Sequence, residues 1–310
     1  MFEIICVVLL AIALDRYAPE PLRIDAAGWC RRWADTVAQR SSGGSRSQGL
    51  LVLALVVLPP VLLVLLIRFA LGELAWILRF AFDVIVLSWT LDLYRLLDRA
   101  EAAGDALKAG DVPVANENLR LLSGADDPAV SEAGVARASV EAVLMQGYAA
   151  VMAPLFWFVL LGALLGPVFA VLQRLVTLFA ERWRPAGEDA AELAWASTRL
   201  NEIIGWLPAR VTAFSYAVMG SFEDALRCWR YQLKASLGNS RAALLAAGLA
   251  ALQLLMCEDL PQTGGQDSGV AATEAVAEAD HVHRAAALLS RALLFWLGVG
   301  VLMLLASVLG

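Results

Sequence analysis

The sequence predicts an all-α, polytopic integral membrane protein with about four transmembrane helices, a candidate re-entrant hairpin and cytoplasmic amphipathic helices. Two observations support this fold class. Of the 310 residues, 60% are hydrophobic and 17% are charged, whereas soluble domains are about half apolar and about a quarter charged. Several apolar runs also approach the roughly 20 residues that a helix needs to cross a bilayer. We interpret residues 1–310 as one membrane domain.

Five apolar segments are candidates for membrane helices. The first is short, but it has no basic residues before it and no small-residue cleavage site after it, so we interpret it as a retained helix rather than a signal peptide. The second contains no charge, and its Pro59-Pro60 pair is tolerable as a kink. The candidates are residues 2–14, 49–67, 69–91, 148–172 and 288–309, the fourth with a re-entrant extension to 180.

The second and third candidates are joined almost without a loop at Arg68, which predicts a helical hairpin. Its second arm carries Arg79 and Asp83, and residues at this i, i+4 spacing share a helix face. Charges at membrane depth are costly and are usually paired or functional. We therefore predict an intramembrane charge pair between Arg79 and Asp83, with binding of a substrate or signal as the alternative role.

The remaining chain is predicted to form soluble helical segments over 92–146 and 181–287. Within the second segment, residues 258–280 are rich in Gly, Ser, Ala and acids and lack Lys and Arg, a composition typical of a mobile loop. Four widely separated cysteines without a CxxC motif are interpreted as reduced, buried thiols; they are Cys6, Cys30, Cys228 and Cys257.

Composition and motifs exclude several function classes. The net charge of −6 and the pI near 5.1 argue against a nucleic-acid partner, because phosphate contacts need clustered Lys and Arg. The chain lacks the standard phosphate-loop, zinc-protease and serine-hydrolase motifs. The pair His281 and His283, without further ligands, is weak evidence for a metal. We predict no metal and no cofactor.

Polar clusters border the long apolar run from Tyr148 to Ala180 and supply candidate ligand-binding residues. These are Ser139, Glu141, Arg199, Glu202, Arg210 and Thr212. A glutamate can transfer a proton, and arginines can bind a phosphate or carboxylate through two hydrogen bonds. A helix that begins at Pro208 would place Arg210 in its first turn, where the helix dipole also favours an anion.

We predict that Glu141, Arg199 and Arg210 converge on one pocket for a small anionic ligand or a membrane-bound intermediate. The alternative is that Glu141 pairs with an arginine only to hold two helices together.

A resemblance to known families rests on this same region. The run Ala153-Pro154-Leu155-Phe156-Trp157-Phe158, with Ser139-Val140-Glu141 before it and Gly162 and Gly166-Pro167 after it, resembles the signature of AmpE. AmpE is the inner-membrane protein of the beta-lactamase induction locus. The later Trp206 to Arg210, Ser215 to Gly220 and Ala225 to Trp229 resemble it too.

AmpE is itself similar to the CobD/CbiB family, the cobalamin-pathway synthases that attach aminopropanol or its phosphate to the corrinoid. That family has an RLDD…N…PARLTA block, which this chain matches at Arg199, Leu200, Pro208 to Arg210, Thr212 and Ala213. It departs at Asn201 and Gly205, which replace an Asp and an Asn, and Asp15 to Pro19 stand where the synthases have DP…PHPV.

These departures favour the AmpE resemblance, which implies a multi-pass regulatory or sensory protein of the bacterial inner membrane rather than an enzyme. Its partners would be the lipid bilayer, a small anionic ligand and a membrane or cell-wall-pathway protein, and it would modulate a pathway such as beta-lactamase induction. The alternative is a membrane enzyme of cobalamin biosynthesis, of the adenosylcobinamide-phosphate synthase type.

Topology follows from the basic residues. Stretches 15–48, 91–146 and 173–287 hold 6, 5 and 10 of the 24 Lys and Arg residues, so the positive-inside rule places them in the cytoplasm. All three share that side only if residues 148–180 enter and leave the membrane on the same face. A single crossing over 148–172 is the alternative, and it places the third stretch outside.

We therefore expect cysteines introduced at Ser123 and Gly187 to resist an impermeant maleimide added from outside, and one near Arg68 to react. The background lacks the native cysteines. Labelling at Gly187 but not at Ser123 would establish the single crossing instead.

Overall fold

The computed structural model describes residues 2–17, 26–39, 46–124, 131–183, 191–235, 240–257, 272–274 and 277–309. Nearly all of these residues are helical, which confirms the all-α prediction. The helices are α1 (Phe2–Tyr17), α2 (Ala26–Gln39), α3 (Arg46–Leu74), α4 (Trp76–Thr90), α5 (Leu93–Lys108), α6 (Val112–Ser123), α7 (Glu132–Gly147), α8 (Ala153–Trp183), α9 (Ala191–Met219), α10 (Phe222–Ala235), α11 (Ser240–Ala251) and α12 (Ala279–Leu309).

Two smaller elements complete the description. A π-helical segment, Tyr148–Met152, joins α7 to α8. Strands β1 (Leu255–Cys257) and β2 (Ala272–Glu274) pair antiparallel. The predicted mobile loop, 258–280, lies outside the described residues except for β2 and residues 277–280.

Chain contacts divide the protein into two units, each with its own core. Unit 1 comprises Met1–Leu93, Ala149–Pro208 and Gly300–Gly310, and unit 2 comprises Tyr94–Tyr148 and Ala209–Val299. In unit 1, buried apolar side chains of α2, α3, α4, α8 and α9 form one cluster. In unit 2, α7 packs against α6 and α11. A single domain over 1–310 stays a prediction.

Local sequence explains where the unit 2 helices begin and end. The Asp111 carboxylate accepts a hydrogen bond from the backbone N–H of Val114 at 3.2 Å and caps the start of α6. That helix ends at Gly124, whose φ of 66° favours glycine. The hydroxyl of Ser131 caps α7 by accepting from the N–H of Gly134 at 3.1 Å.

Three helical stretches among the described residues are long and apolar enough to cross a membrane: Arg46–Leu74, Glu132–Gly162 and Ala279–Met303. The first and third bury only 28% of their most apolar window inside the protein. Their outward faces carry side chains such as Leu51 and Leu302, and so broad an exposed apolar surface fits lipid better than water. The protein is therefore a membrane protein.

The middle stretch differs from the predicted crossing over 148–172. It begins sixteen residues earlier, at Glu132, because α7 and the π-helical segment extend the apolar helix toward the N-terminus. Its most apolar window is 78% buried, so it is enclosed largely by protein. Helices α1 and α4 have 16 and 15 residues, short of the roughly 20 that a straight crossing needs.

The chain reverses direction inside α8, at Gly162. This residue has φ 60° and ψ −152°, a conformation that is essentially restricted to glycine. A Cβ placed on Gly166 would lie 2.6 Å from the carbonyl oxygen of Phe158, and the rings of Trp157 and Phe169 lie 5.7 Å apart. Twelve residues of straight helix would separate those two rings by about 18 Å along the axis.

The Gly166-Pro167 pair follows four residues after Gly162, but the chain does not turn there. The turn occurs at Gly162, and Gly166 instead lets the two arms approach closely. Such a hairpin is the geometry that the re-entrant prediction requires. Its depth in the membrane stays a prediction.

The predicted pair between Arg79 and Asp83 needs correction, because Asp83 pairs with Arg68. The Nε and Nη2 atoms of Arg68 donate to the two carboxylate oxygens of Asp83 at 2.9 and 3.2 Å, and both side chains are buried. Arg79 Nη2 instead donates to Glu3 Oε1 of α1 at 2.8 Å. The hairpin turns at Ala75 rather than at Arg68, so α3 extends far enough to bring Arg68 beside Asp83.

The cysteines follow the prediction only in part. Cys30 is buried and free, and Cys6 is free and half-buried. Cys228 is disulfide-bonded, so the interpretation as a reduced thiol is wrong there; separation along the chain did not reveal which cysteines meet in space. The side chain of Cys257 lies outside the described residues.

We expect Asp83→Ala to destabilise the protein by about 3–5 kcal/mol, because it leaves Arg68 buried without its carboxylate partner. The double variant Arg68→Met/Asp83→Leu should recover most of this loss. Thermal unfolding in detergent measures both effects. Arg182→Ala is the control, since it removes an exposed pair with Asp35 that contributes less than about 1 kcal/mol. Equal losses for Asp83→Ala and Arg182→Ala would show that the buried pair is unimportant.

Burial raises the pKa of the Cys30 thiol to about 11. At pH 8, about one thiol in a thousand would therefore be ionised, and the thiolate is the reactive form. In a variant that keeps Cys30 as its only cysteine, we expect little maleimide labelling of the folded protein at pH 8 and rapid labelling after denaturation. Mass spectrometry of the labelled chain measures this, and complete labelling without denaturant would contradict it.

Candidate functional site

Four of the predicted ligand-binding residues lie in unit 2, each with its own local environment. On α7, Glu141 accepts a hydrogen bond from Arg137 Nε, one turn earlier, at 3.0 Å. Ser139 is fully buried, and its hydroxyl has no hydrogen-bond partner among the described residues. On α9, Thr212 is buried. Arg210 Nη1 donates to Ser240 Oγ at 3.4 Å.

The environment of Arg210 differs from the prediction. α9 continues from Ala191 to Met219 with Pro208 inside it, so Arg210 lies in a helix interior and not in a first turn. The expected attraction of an anion to a helix N-terminus is therefore absent there. Partial burial lowers the pKa of Arg210, although an arginine remains charged at neutral pH.

The other two predicted residues, Arg199 and Glu202, lie in unit 1. They bind each other at 3.2 Å in an exposed i, i+3 ion pair, an arrangement that contributes little stability. Glu141, Arg199 and Arg210 thus each have a nearby partner. Their convergence on one pocket stays a prediction, since Arg199 belongs to a different unit from the other two.

A buried polar cluster in unit 1 was not predicted. Gln173 Nε2 donates to Thr177 Oγ1 at 3.2 Å, and the Thr177 hydroxyl lies within hydrogen-bond distance of Asn201 Oδ1, at 3.1 Å, and of the Gln173 backbone carbonyl, at 2.9 Å. Gln173 and Thr177 are buried, and Asn201 is half-buried. We call these three residues the amide cluster. It connects α8 to α9.

Two sequence signals could have revealed the amide cluster. Gln173 and Thr177 are four positions apart in a run that is otherwise apolar except for Arg174, so a helix presents them on one face. Asn201 stands between Leu200 and Glu202 in the Arg199-Leu200-Asn201-Glu202 block, which is a polar stretch of α9. The structure shows that its amide oxygen is positioned to accept a hydrogen bond inside the protein.

A buried cation lies next to the amide cluster along α8. Arg174 follows Gln173 in the chain, is buried, and its Nη2 lies 3.5 Å from the Asp92 carboxylate. Burial of an arginine is costly unless a counter-charge compensates it, and Asp92 provides one here. Consecutive residues of α8 thus take part in a neutral hydrogen-bonded cluster and in a compensated charge pair.

The side chains of the amide cluster are suited to bind a polar molecule through hydrogen bonds. The described residues contain no group of three or more His, Cys, Asp or Glu side chains that could hold a metal. His283, half of the HxH pair, instead contacts Asp105 through Nε2 at 3.2 Å. Amide and hydroxyl groups can orient a small polar molecule by donating and accepting hydrogen bonds.

Comparison with known proteins identifies the family. The family described as CobD/Cbib protein matches residues 8–289. The "Cobalamin biosynthesis protein CobD" of Stutzerimonas stutzeri is 32% identical over 253 residues, covering 80% of each chain. The protein of the same name from Chromobacterium violaceum is 32% identical over 252 residues, covering 78% of each chain. No solved structure matches.

A more distant relative comes from an archaeon. The "Probable cobalamin biosynthesis protein CobD" of Methanothermobacter thermautotrophicus is 28% identical over 260 residues, covering 81% of this chain and 84% of the relative.

These matches correct the functional prediction. The relatives carry the name of cobalamin biosynthesis and none of those cited is an AmpE protein, so the assignment to a signalling protein of beta-lactamase induction is wrong. The family match over residues 8–289 spans all the departures, at Asn201, at Gly205 and at 15–19, so these differences do not remove the chain from the family. The chain belongs to the CobD/CbiB family.

Proposed function

We propose that this protein is an enzyme of cobalamin biosynthesis in the bacterial inner membrane, of the adenosylcobinamide-phosphate synthase type. It would attach aminopropanol, or its phosphate, to the corrinoid. The strongest support is the match to the CobD/CbiB family over residues 8–289. Two relatives named for cobalamin biosynthesis also align with this chain over 78–80% of their own length.

The position of Asn201 in the amide cluster supports an enzymatic function, although Asn201 is one of the residues that differ from the family block. Asn201 stands where the family block has an acid, and its Oδ1 lies 3.1 Å from the Thr177 hydroxyl. An amide oxygen and a carboxylate oxygen both accept such a hydrogen bond. Replacement of the acid by Asn therefore removes a charge but keeps the contact between α8 and α9.

The placement in the inner membrane rests on helix type. The candidate spans are α-helices, whereas proteins of the bacterial outer membrane cross it as β-barrels. An inner-membrane enzyme would reach a large, amphiphilic corrinoid from the bilayer surface. The small anionic ligand that we predicted from the arginines would then be the aminopropanol phosphate.

We expect the gene to restore cobalamin-dependent growth to a bacterial strain that lacks its own CobD-type synthase. The reason is that the family match covers residues 8–289 and that Arg199, Pro208 to Arg210 and Thr212 of the family block are retained. Growth is measured without added cobalamin, with the empty vector as the negative control and added cobalamin as the positive control. No growth, despite protein detected in the membrane fraction, would contradict the proposed function.

A further inference from the structure

Helix α9 exposes a stripe of side chains on one of its faces within unit 1. The exposed positions recur every three or four residues, as positions on one face of a helix do. On the opposite face, Leu193 and Ala196 belong to the unit 1 core. We call the exposed set the α9 stripe; its members, between 38% and 63% exposed, are Trp195, Arg199, Ile203, Trp206 and Leu207.

The α9 stripe lies alongside the first membrane span. Helix α9 is not among the three apolar spans found in the described residues, but its neighbours place it in the membrane. A Cβ on Gly49, where the charge-free part of α3 begins, would lie 2.6 Å from the carbonyl oxygen of Glu192. Further along, Leu200 and Ile204 pack against the core cluster that α3 shares. Helix α9 therefore follows α3 into the bilayer.

The charged members of this face lie deep in that span. At the start of α3 and α9, the guanidinium of Arg46 lies 5.3 Å from the centre of the Trp195 ring, and Trp beside Arg is typical of the headgroup level. Arg199 and Glu202 follow Glu192 by seven and ten residues, which is about 10 and 15 Å along a helix. Because the hydrocarbon core is about 30 Å thick, this exposed ion pair faces its interior.

The ion pair is incompletely satisfied for such a location. Arg199 Nη1 donates to Glu202 Oε2 at 3.2 Å, whereas a guanidinium has five N–H donors and a carboxylate has two acceptor oxygens. The two side chains are 60% and 39% exposed, so their remaining polar groups point away from unit 1. Charged side chains in membrane proteins almost always face a neighbouring helix or a polar cavity rather than lipid. The α9 stripe therefore calls for a polar partner.

We propose that the α9 stripe is the interface between two copies of this chain in the membrane. Two copies with the same orientation are related by a two-fold axis along the membrane normal, so their α9 helices run parallel. Arg199 and Glu202 differ in depth by about 4.5 Å, so each Arg199 can reach Glu202 of the partner subunit, and the contact is reciprocal. One positive and one negative charge per copy make this face complementary to itself.

The apolar members of the stripe complete such an interface. Ile203, Trp206 and Leu207 follow the charges along α9 and pack around them in the dimer, which removes the four charges from lipid. The inference is independent of the proposed function. It assigns Arg199 to assembly and leaves Arg210, in unit 2, as a candidate for the anionic ligand.

The first test is cross-linking of the full-length chain in native membranes, with its four native cysteines replaced. Ile203→Cys should form a disulfide-linked dimer on mild oxidation, as seen by gel electrophoresis without reductant. The matched control is Leu62→Cys, because Leu62 is also exposed, at 48%, but lies on α3 outside the stripe. It should remain monomeric. Equal cross-linking at the two positions, or monomer at both, would overturn the proposal and leave the face to lipid or substrate.

The second test exchanges the charges in the Ile203→Cys background. Arg199→Glu alone and Glu202→Arg alone should each reduce cross-linking at least about tenfold, because like charges then meet across the interface. Co-expressed with different tags, the two variants should cross-link to each other, since one presents two acids and the other two bases. If either variant fails to accumulate, the exchange Arg199→Glu/Glu202→Arg replaces them and should cross-link like the unexchanged chain. Cross-linking that ignores these charges would contradict the reciprocal pairing.

Discussion

The reversal of α8 at Gly162 is the constraint on which unit 1 depends. Only a residue without a side chain readily adopts the conformation found there, and Gly166 then lets the two arms meet at van der Waals distance. The returning arm supplies Val171, Leu175 and Phe179 to the unit 1 core. It also brings Gln173 and Thr177 to α9. If residues 153–183 formed one straight helix, these side chains would not reach the unit 1 core or α9.

The polar groups of unit 1 gain their importance from these apolar surroundings. In an interior of low dielectric constant, each buried polar atom must find a partner or destabilise the fold. The Arg68–Asp83 pair satisfies that requirement within the protein, with two hydrogen bonds between the guanidinium and the carboxylate. The Gln173 amide oxygen does not. The Arg68–Asp83 pair is therefore a structural contact, whereas the Gln173 amide oxygen is a candidate binding group. Composition alone could not distinguish the two, because it does not show which polar atoms meet in the fold.

The sequence predicts well what depends on local pattern. The charge-free run after Gly49 became α3 because apolar residues at membrane length favour a helix whatever lies around it. Contacts between distant segments were less accessible. The true hairpin turn at Ala75, the partner of Asp83 and the packing of Asn201 all depend on how helices align, and spacing along one helix carries no information about that alignment.

The same limit affected the functional prediction. Asn201 and Gly205 differ from the family block. A comparison of residue types alone interprets each difference as the loss of a functional side chain. In the fold, an amide at position 201 still contacts the opposite helix. The similarity over residues 8–289 shows that family membership resides in the whole pattern of the chain rather than in its individual motif positions.

The proposed reaction joins an amino-alcohol to a corrinoid. Mass spectrometry of the corrinoid tests it most directly, after incubation with the purified protein, aminopropanol phosphate and ATP as the source of free energy for joining the amine to a carboxyl group. The account predicts a product heavier by one aminopropanol phosphate less one water, formed only when all three components are present. Recovery of the corrinoid unchanged by folded protein, under conditions in which a known synthase forms that product, would contradict it.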